Sequence, residues 1–289
     1  MGDILSDLHE RVLRLGVKIL RCTAICEGVV KDLDRGIIPR VLFLEPFMAE
    51  RINDSEKAKV AILGINPGII LPFEMWIYRK ILDRCGCLGG SPEHECFRRA
   101  FEEIHGIWEE CLGGWNLGDI KFHHLDYFRN TKKFLKFLYE NGNILGIEKG
   151  DPILWAELVY CQSKRKKDTE IRGKAPLPAS TLFECTSRYL KEVLELSDRI
   201  LICLGIGGAG AYNYVVRLRE QKKRKARRPG ADEELQKLLK GKAIIGIPHP
   251  SRYDVCKDLE KDEVDEIMRK VREAVEEGKT TKIGQKQRQ

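Results

Sequence analysis

Apolar residues first recur at helical spacing, with Ile4, Leu5, Leu8, Val12, Leu13, Leu15, Ile19 and Leu20 falling close to one face of a helix over residues 4–21. Further along, four short and almost unbroken apolar runs rich in β-branched residues predict strands. They are KVAILGI (59–65), ILWAELVYC (153–161), RILICLG (199–205) and KAIIGIP (242–248). Helical patterns separate them, over 74–84, 94–111 and 131–140, then 182–196, then 211–225 and 231–240. Strands without polar alternation, joined by helices, predict a parallel sheet covered on both faces. The expected fold is α/β: a three-layer α/β/α arrangement with a central four-stranded parallel sheet and an N-terminal helical extension over 1–40. No repeat or linker divides residues 1–289, so a single domain is expected. The polar stretch 277–289 reads as a frayed tail.

In such a sheet, ligands meet the carboxyl ends of the strands. After the first predicted strand, Gly64-Ile65-Asn66-Pro67-Gly68 holds one amide side chain in a rigid turn. That turn is either a plain strand ending or a device that aims Asn66. After the fourth strand comes PHPSRY (248–253), where two prolines flank His249. A lone histidine is usually structural, but one in a proline-stiffened loop at this edge is equally a candidate site residue. After the third strand, Gly205, Gly207 and Gly210 match G-x-G-x-x-G. The acidic residue expected about 20 positions later is missing, because that span runs into REQKKRKARR. Tight packing or a phosphate contact therefore explains these glycines better than a dinucleotide, and no nucleotide cofactor is expected.

Composition narrows the class. No apolar run approaches the roughly 18 residues of a membrane span, and residues 1–21 lack a signal-peptide pattern. An intracellular, cytoplasmic protein is expected. The net charge of +7 is concentrated in KRKK (164–167) and KKRKARR (222–228), runs that either meet phosphate or are merely solvated. Ten cysteines without a secretory signal point to metal ligation or buried thiols rather than disulfides.

Taken together, GINPG, HPSR and the stretch WAELVYCQSK followed by LFECTSRYLKEVLELSDRILICLG resemble the uracil-DNA glycosylase superfamily over about residues 20–255. The first motif is closest to its mismatch-specific and single-strand-selective branches, the second to the single-strand-selective branch. The cysteine-bearing stretch is similar to the iron–sulfur branches. The resemblance implies a monofunctional DNA-repair enzyme, bound to damaged DNA as a monomer in the nucleoid, that flips a deaminated base out of the stack and hydrolyses its glycosidic bond. It implies that Asn66 positions water and His249 stabilises the departing base, with Gly64, Ile65, Phe73, Glu157 and Ser251 around that base. Asparagine replaces the aspartate of the most active branches, and an amide is no general base, so a slow enzyme is expected. Arg252 and Tyr253 would enter the DNA groove, and Lys164 and Arg165 would contact phosphates.

The same resemblance makes Cys22, Cys26, Cys161 and Cys185 the ligands of a 4Fe–4S cluster, although Cys22 and Cys26 are spaced C-x3-C where the branch has C-x2-C. A rival set, Cys85, Cys87, Cys96 and Cys111 with His94 nearby, is a candidate zinc site with poor spacing. Another departure concerns specificity: Glu157 stands where those branches carry the asparagine that reads uracil. An ionised carboxylate only accepts hydrogen bonds, so base preference stays open. Two other readings remain: an iron–sulfur nucleic-acid-binding protein with lost or altered catalysis, and a nucleotide-dependent enzyme using Gly205–Gly210.

Overall fold

The structure, a computed structural model, describes residues 7–22, 24, 26, 29–30, 42–65, 79–87, 94–112, 125–163, 178–207, 210–220, 233–251 and 253–284. The elements in chain order are α1 (Asp7–Leu20), β1 (Val29–Val30), β2 (Phe43–Pro46), β3 (Ala58–Gly64), α2 (His94–Leu112), α3 (Leu125–Glu140), β4 (Pro152–Glu157), β5 (Gln162–Ser163), α4 (Ala179–Glu195), β6 (Ser197–Leu204), α5 (Ala211–Glu220), α6 (Glu233–Lys240), β7 (Ala243–Ile247), α7 (Lys261–Glu277) and β8 (Thr280–Lys282).

The main sheet has six strands in the order β2-β4-β3-β6-β7-β8. The four strands expected from the apolar runs form its contiguous centre, all parallel. Two edges extend it beyond the predicted four. β2 pairs antiparallel with β4, and β8 pairs parallel with β7. β8 lies inside the stretch expected to be frayed: Lys279 N–H donates to Ala274 O after Gly278 closes α7 in the left-handed region (φ 61°), turning the chain back to the sheet.

Side chains of alternate strand residues divide between two cores. Ala61, Leu63, Leu154, Ala156, Leu201 and Cys203 face one core, shared with α1, α2, α4, α5 and α6. Val60, Ile62, Ile153, Trp155, Ile200 and Ile202 face the other, shared with α3 and α7. Both faces being covered explains why the strands read as continuous apolar runs. α1 packs into the core. Its Leu8, Val12, Leu13 and Leu20 are almost fully buried, and it packs on α2, α4 and β2. Among the described residues, no helix is long and apolar enough to cross a membrane.

Candidate functional site

Parallel pairing sets Gly64, the last residue of β3, opposite Glu157, the last residue of β4. Backbone hydrogen bonds continue past both strand ends, from Leu158 N–H to Gly64 O and from Val159 N–H to Ile65 O, at 2.9 and 3.1 Å. Glu157 is only 4% exposed, and its Oε1 accepts a 3.2 Å hydrogen bond from the Tyr127 hydroxyl on α3. Both polar groups lie against Gly64. A Cβ there would stand 2.2 Å from Glu157 Oε2 and 2.4 Å from the Tyr127 oxygen. Any side chain at position 64 would displace the pair, which gives the first glycine of GINPG a physical reason.

Burial and the neighbouring Glu157 carboxylate push the Tyr127 phenol well above its ordinary pKa, so it remains a hydrogen-bond donor at any physiological pH. The other face of Tyr127 meets His249, with ring centroids 5.7 Å apart. His249 follows β7 and is half-buried, and its Nδ1 is 2.8 Å from Ser251 Oγ. The loop carrying it is fastened from α3: Asn130 Nδ2 donates to Pro250 O at 2.7 Å, and Lys133 pairs with Asp254 at 2.8 Å. Tyr253 N–H donates to His249 O, and the Tyr253 side chain is exposed. On the β8 side of His249 a cleft of about 1070 Å³ opens between Gly205, Pro248, Tyr253, Leu259, Lys270 and Lys282.

The glycines of LGIGGAG serve a different purpose. Gly205 sits at φ +88°, and a Cβ on Gly210 would fall 1.8 Å from Gly205 O. The first turn of α5 therefore abuts the end of β6, and Asn213 donates back to Ile206 O and Gly207 O at 2.9 and 2.7 Å. This is the tight helix–strand packing expected of the motif.

Thus the structure brings together Gly64, Ile65, Glu157, His249, Ser251 and Tyr253 at one edge of the sheet. Asn66, Phe73, Arg252, Lys164 and Arg165 lie outside the described residues, as do both basic runs. Sequence reasoning missed Tyr127. The helix expected over 131–140 begins at Leu125, six residues earlier. Tyr127, Thr131, Phe134 and Leu138 fall on one helical face, and the last three are fully buried. Extending that face backward was the signal that would have found it.

A second cluster lies at the end of β4 and the start of the chain. Burial pushes the Cys185 thiol up to about 12, with smaller raising contributions from Cys161, Cys22 and Cys26, so these three stand within electrostatic reach of Cys185. The backbone N–H of Tyr160 donates to Cys185, and Tyr189 is hydrogen-bonded to Cys22. β1 pairs antiparallel with β5, which ties the residues just after Cys26 to those just after Cys161. Beside Cys22, a groove of about 550 Å³ is lined by Arg14, Lys18, Arg21 and Arg188. In the rival set, Cys85, Cys87 and Cys96 are buried, with Cys87 hydrogen-bonded to Cys96. The side chains of His94 and Cys111 are outside the described residues. Among the described residues no group of three or more histidine, cysteine or acidic side chains is arranged around a single metal ion, and the described cysteines are free thiols.

Cys22, Cys26, Cys161 and Cys185 offer thiols alone, and two of these sulfurs have a hydrogen-bonded partner. An all-thiolate set with N–H and O–H donors aimed at the sulfurs suits iron–sulfur ligation. No protein-family model, curated protein or solved structure matches this chain.

Proposed function

We propose that the protein is a monofunctional DNA glycosylase that receives a flipped, deaminated base at the carboxyl edge of its sheet and hydrolyses the glycosidic bond. The observation that carries this reading is the meeting of Glu157, Tyr127 and His249 beside the Gly64 turn. Residues from β4, α3 and the loop after β7 surround the point where the GINPG motif leaves β3. Departure of the base leaves an oxocarbenium-like sugar and an anionic base, so catalysis requires a donor at the base and an aligned water. Ser251 Oγ lies 2.8 Å from Nδ1 of His249, and in the tautomer where Ser251 donates, Nε2–H is left to donate to a carbonyl oxygen of the departing base. Asn66 would orient the water. Its amide does not take a proton, so the reaction leans on leaving-group stabilisation and is slow.

Cys22, Cys26, Cys161 and Cys185 would hold a 4Fe–4S cluster. When bound, it would supply iron–thiolate links that clamp the segment after α1 to the end of β4 and to α4. The groove of Arg14, Lys18, Arg21 and Arg188 beside it would follow a phosphate backbone, together with the basic runs. The protein acts as a monomer on chromosomal DNA within the cytoplasm. The buried Glu157 favours one alternative, a nucleic-acid-binding protein of this fold with altered catalysis, because a carboxylate matches uracil poorly.

Incubation with oligonucleotides carrying one uracil, hypoxanthine, xanthine or mispaired thymine, followed by alkali, tests the proposal. Strand breaks at one lesion support a glycosylase. Tight, salt-sensitive binding without any break supports the alternative. His249→Ala should lower base release by about a hundredfold or more while leaving DNA affinity unchanged. Iron and acid-labile sulfide in an anaerobic preparation test the cluster, and a colourless, iron-free protein would sink it.

A further inference from the structure

His249 stands between an opening and a wall. On one side lies the cleft of about 1070 Å³ at the ends of β6, β7 and β8, and on the other lies the ring of Tyr127, with centroids 5.7 Å apart. The loop that carries His249 is stiff in itself. Pro248 and Pro250 fix the backbone on either side, Tyr253 N–H donates to His249 O at 3.2 Å, and Cys256 N–H donates to Asp254 Oδ1 at 3.1 Å. Three residues of α3, at successive turns of one face, then hold that loop from behind. The Tyr127 ring meets the imidazole, Asn130 Nδ2 donates to Pro250 O at 2.7 Å, and Lys133 Nζ donates to Asp254 Oδ2 at 2.8 Å. Tyr127 is itself anchored, because its hydroxyl donates to Glu157 Oε1 at 3.2 Å and Glu157 is buried against Gly64. α3 is anchored in turn by Thr131, Phe134 and Leu138, all fully buried.

Resting on the role of His249 in the glycosylase reading, we propose that Tyr127, Asn130 and Lys133 are positioning residues that present the His249 imidazole in one orientation to a reactant entering from the cleft. Glu157 acts at one remove: it holds the Tyr127 hydroxyl, and the Tyr127 ring holds the imidazole. A hydrogen-bond donor set before the reactant arrives stabilises a departing anion without reorganising at the moment of reaction. A donor displaced by about 1 Å forfeits on the order of a hundredfold in rate. The three contacts fall within residues 249–254, the segment that turns His249 toward the cleft, and each touches a different part of it. One meets the ring, one the next carbonyl, and one the carboxylate that closes the turn. They therefore constrain both the place and the tilt of the imidazole. Asn130 bonds the carbonyl beside His249 and carries the largest share. Tyr127 without its hydroxyl keeps its bulk but loses its anchor. Lys133 is 52% exposed, so its pair with Asp254 contributes least.

The test joins single-turnover base release to nitrogen NMR of the His249 ring in Asn130→Ala, Tyr127→Phe and Lys133→Met. Asn130→Ala and Tyr127→Phe should each lower the rate by about tenfold or more with DNA affinity unchanged, and Lys133→Met should lower it severalfold. In each variant the His249 ring resonances should shift or broaden, since the imidazole samples orientations that the native loop excludes. A merely structural role predicts a lower melting temperature, with the ring resonances and the rate of the folded protein as in the native chain. The proposal requires both changes, so native-like resonances or an unaltered rate overturn it while leaving the glycosylase reading standing. Lys133→Met, on the helix surface, keeps the test in force where either of the other variants fails to fold. If the native protein releases no base, the glycosylase reading falls and the resonances decide the positioning by themselves. Shifted or broadened signals then uphold it, and native-like signals overturn it.

Discussion

Two glutamates on neighbouring strands are buried to the same degree and are held in opposite ways. Glu45 on β2 is 6% exposed and pairs with Lys132 of α3, with Trp155 Nε1 donating to its other oxygen at 3.1 Å. Glu157, at the end of β4, is 4% exposed and receives its donor from a neutral phenol. Around Glu45 the chain supplies a full counter-charge and a shell of aromatic rings, including Phe43 stacked on Trp155 with centroids 5.8 Å apart. That arrangement is closed and serves the core. The Glu157 carboxylate accepts from the Tyr127 hydroxyl, and it sits where the parallel strands end. A buried carboxylate at the carboxyl ends of parallel strands lies where ligands meet such a sheet.

The largest expected effect tests the closed site. Lys132→Met should strip the counter-charge from Glu45 and cost about 3–5 kcal/mol in denaturant unfolding. A double variant with Glu45→Leu should regain most of that loss, because an apolar pair of similar volume needs no charge compensation. If Lys132→Met is silent, the two glutamates are not the contrasting cases described.

Lys242 is a buried cation hydrogen-bonded to neutral oxygens. Its Nζ donates to Leu194 O, Ser197 O, Ser197 Oγ and Asp198 O. Burial pushes its pKa down from 10.5 to about 8. Since the folded value lies below the unfolded one, the unfolded chain binds more protons between these limits, and this group's contribution to stability rises with pH across that window. Relative to Lys242→Met, the native protein should gain up to about 3 kcal/mol between pH 8 and the ordinary lysine range. A flat difference across that range would show that the oxygen cage fully compensates the burial.

Smaller effects are expected at the recognition edge. Gly64→Ala should cost about 1–3 kcal/mol, because the new methyl group overlaps Glu157 and Tyr127, and it should abolish base release even where the fold survives. Tyr127→Phe should cost about 1 kcal/mol, the value of one hydrogen bond to a buried acceptor. Should Tyr127→Phe prove as damaging as Lys132→Met, Glu157 belongs with Glu45 as a structural carboxylate.

The parts of this molecule that could be read in advance share a physical trait: their signal lies within one segment. β3, β4, β6 and β7 are apolar on both faces, so each run announces itself. β2 and β8 are edge strands. FLEP carries a proline and a charge, and TTK has no apolar residue, so neither carries the signal of a doubly covered strand. The same distinction separates the site residues. Glu157 and His249 follow strands whose ends were already placed, which made their positions deducible from order alone. Tyr127 comes from a helix, and its arrival at the tip of β3 depends on how α3 lies across the sheet, a tertiary fact without a local mark. The grouping of Cys22, Cys26 and Cys161 with Cys185 was expected from similarity to a known pattern, because residues so far apart in sequence meet only once the chain has folded.

The integration of α1 into the core carries a consequence for how the chain acquires its structure. Lys18 of α1 pairs with Glu192 of α4, a partner 174 positions away. During ribosomal synthesis at roughly 5–20 residues per second, α1 waits on the order of ten seconds or longer before α4 exists. Through that interval its row of Leu8, Val12, Leu13 and Leu20 has at most β2 and α2 to cover it. α1 is therefore made well before the α4 contacts that complete its packing, and in the meantime its apolar face depends on α2 or on chaperones.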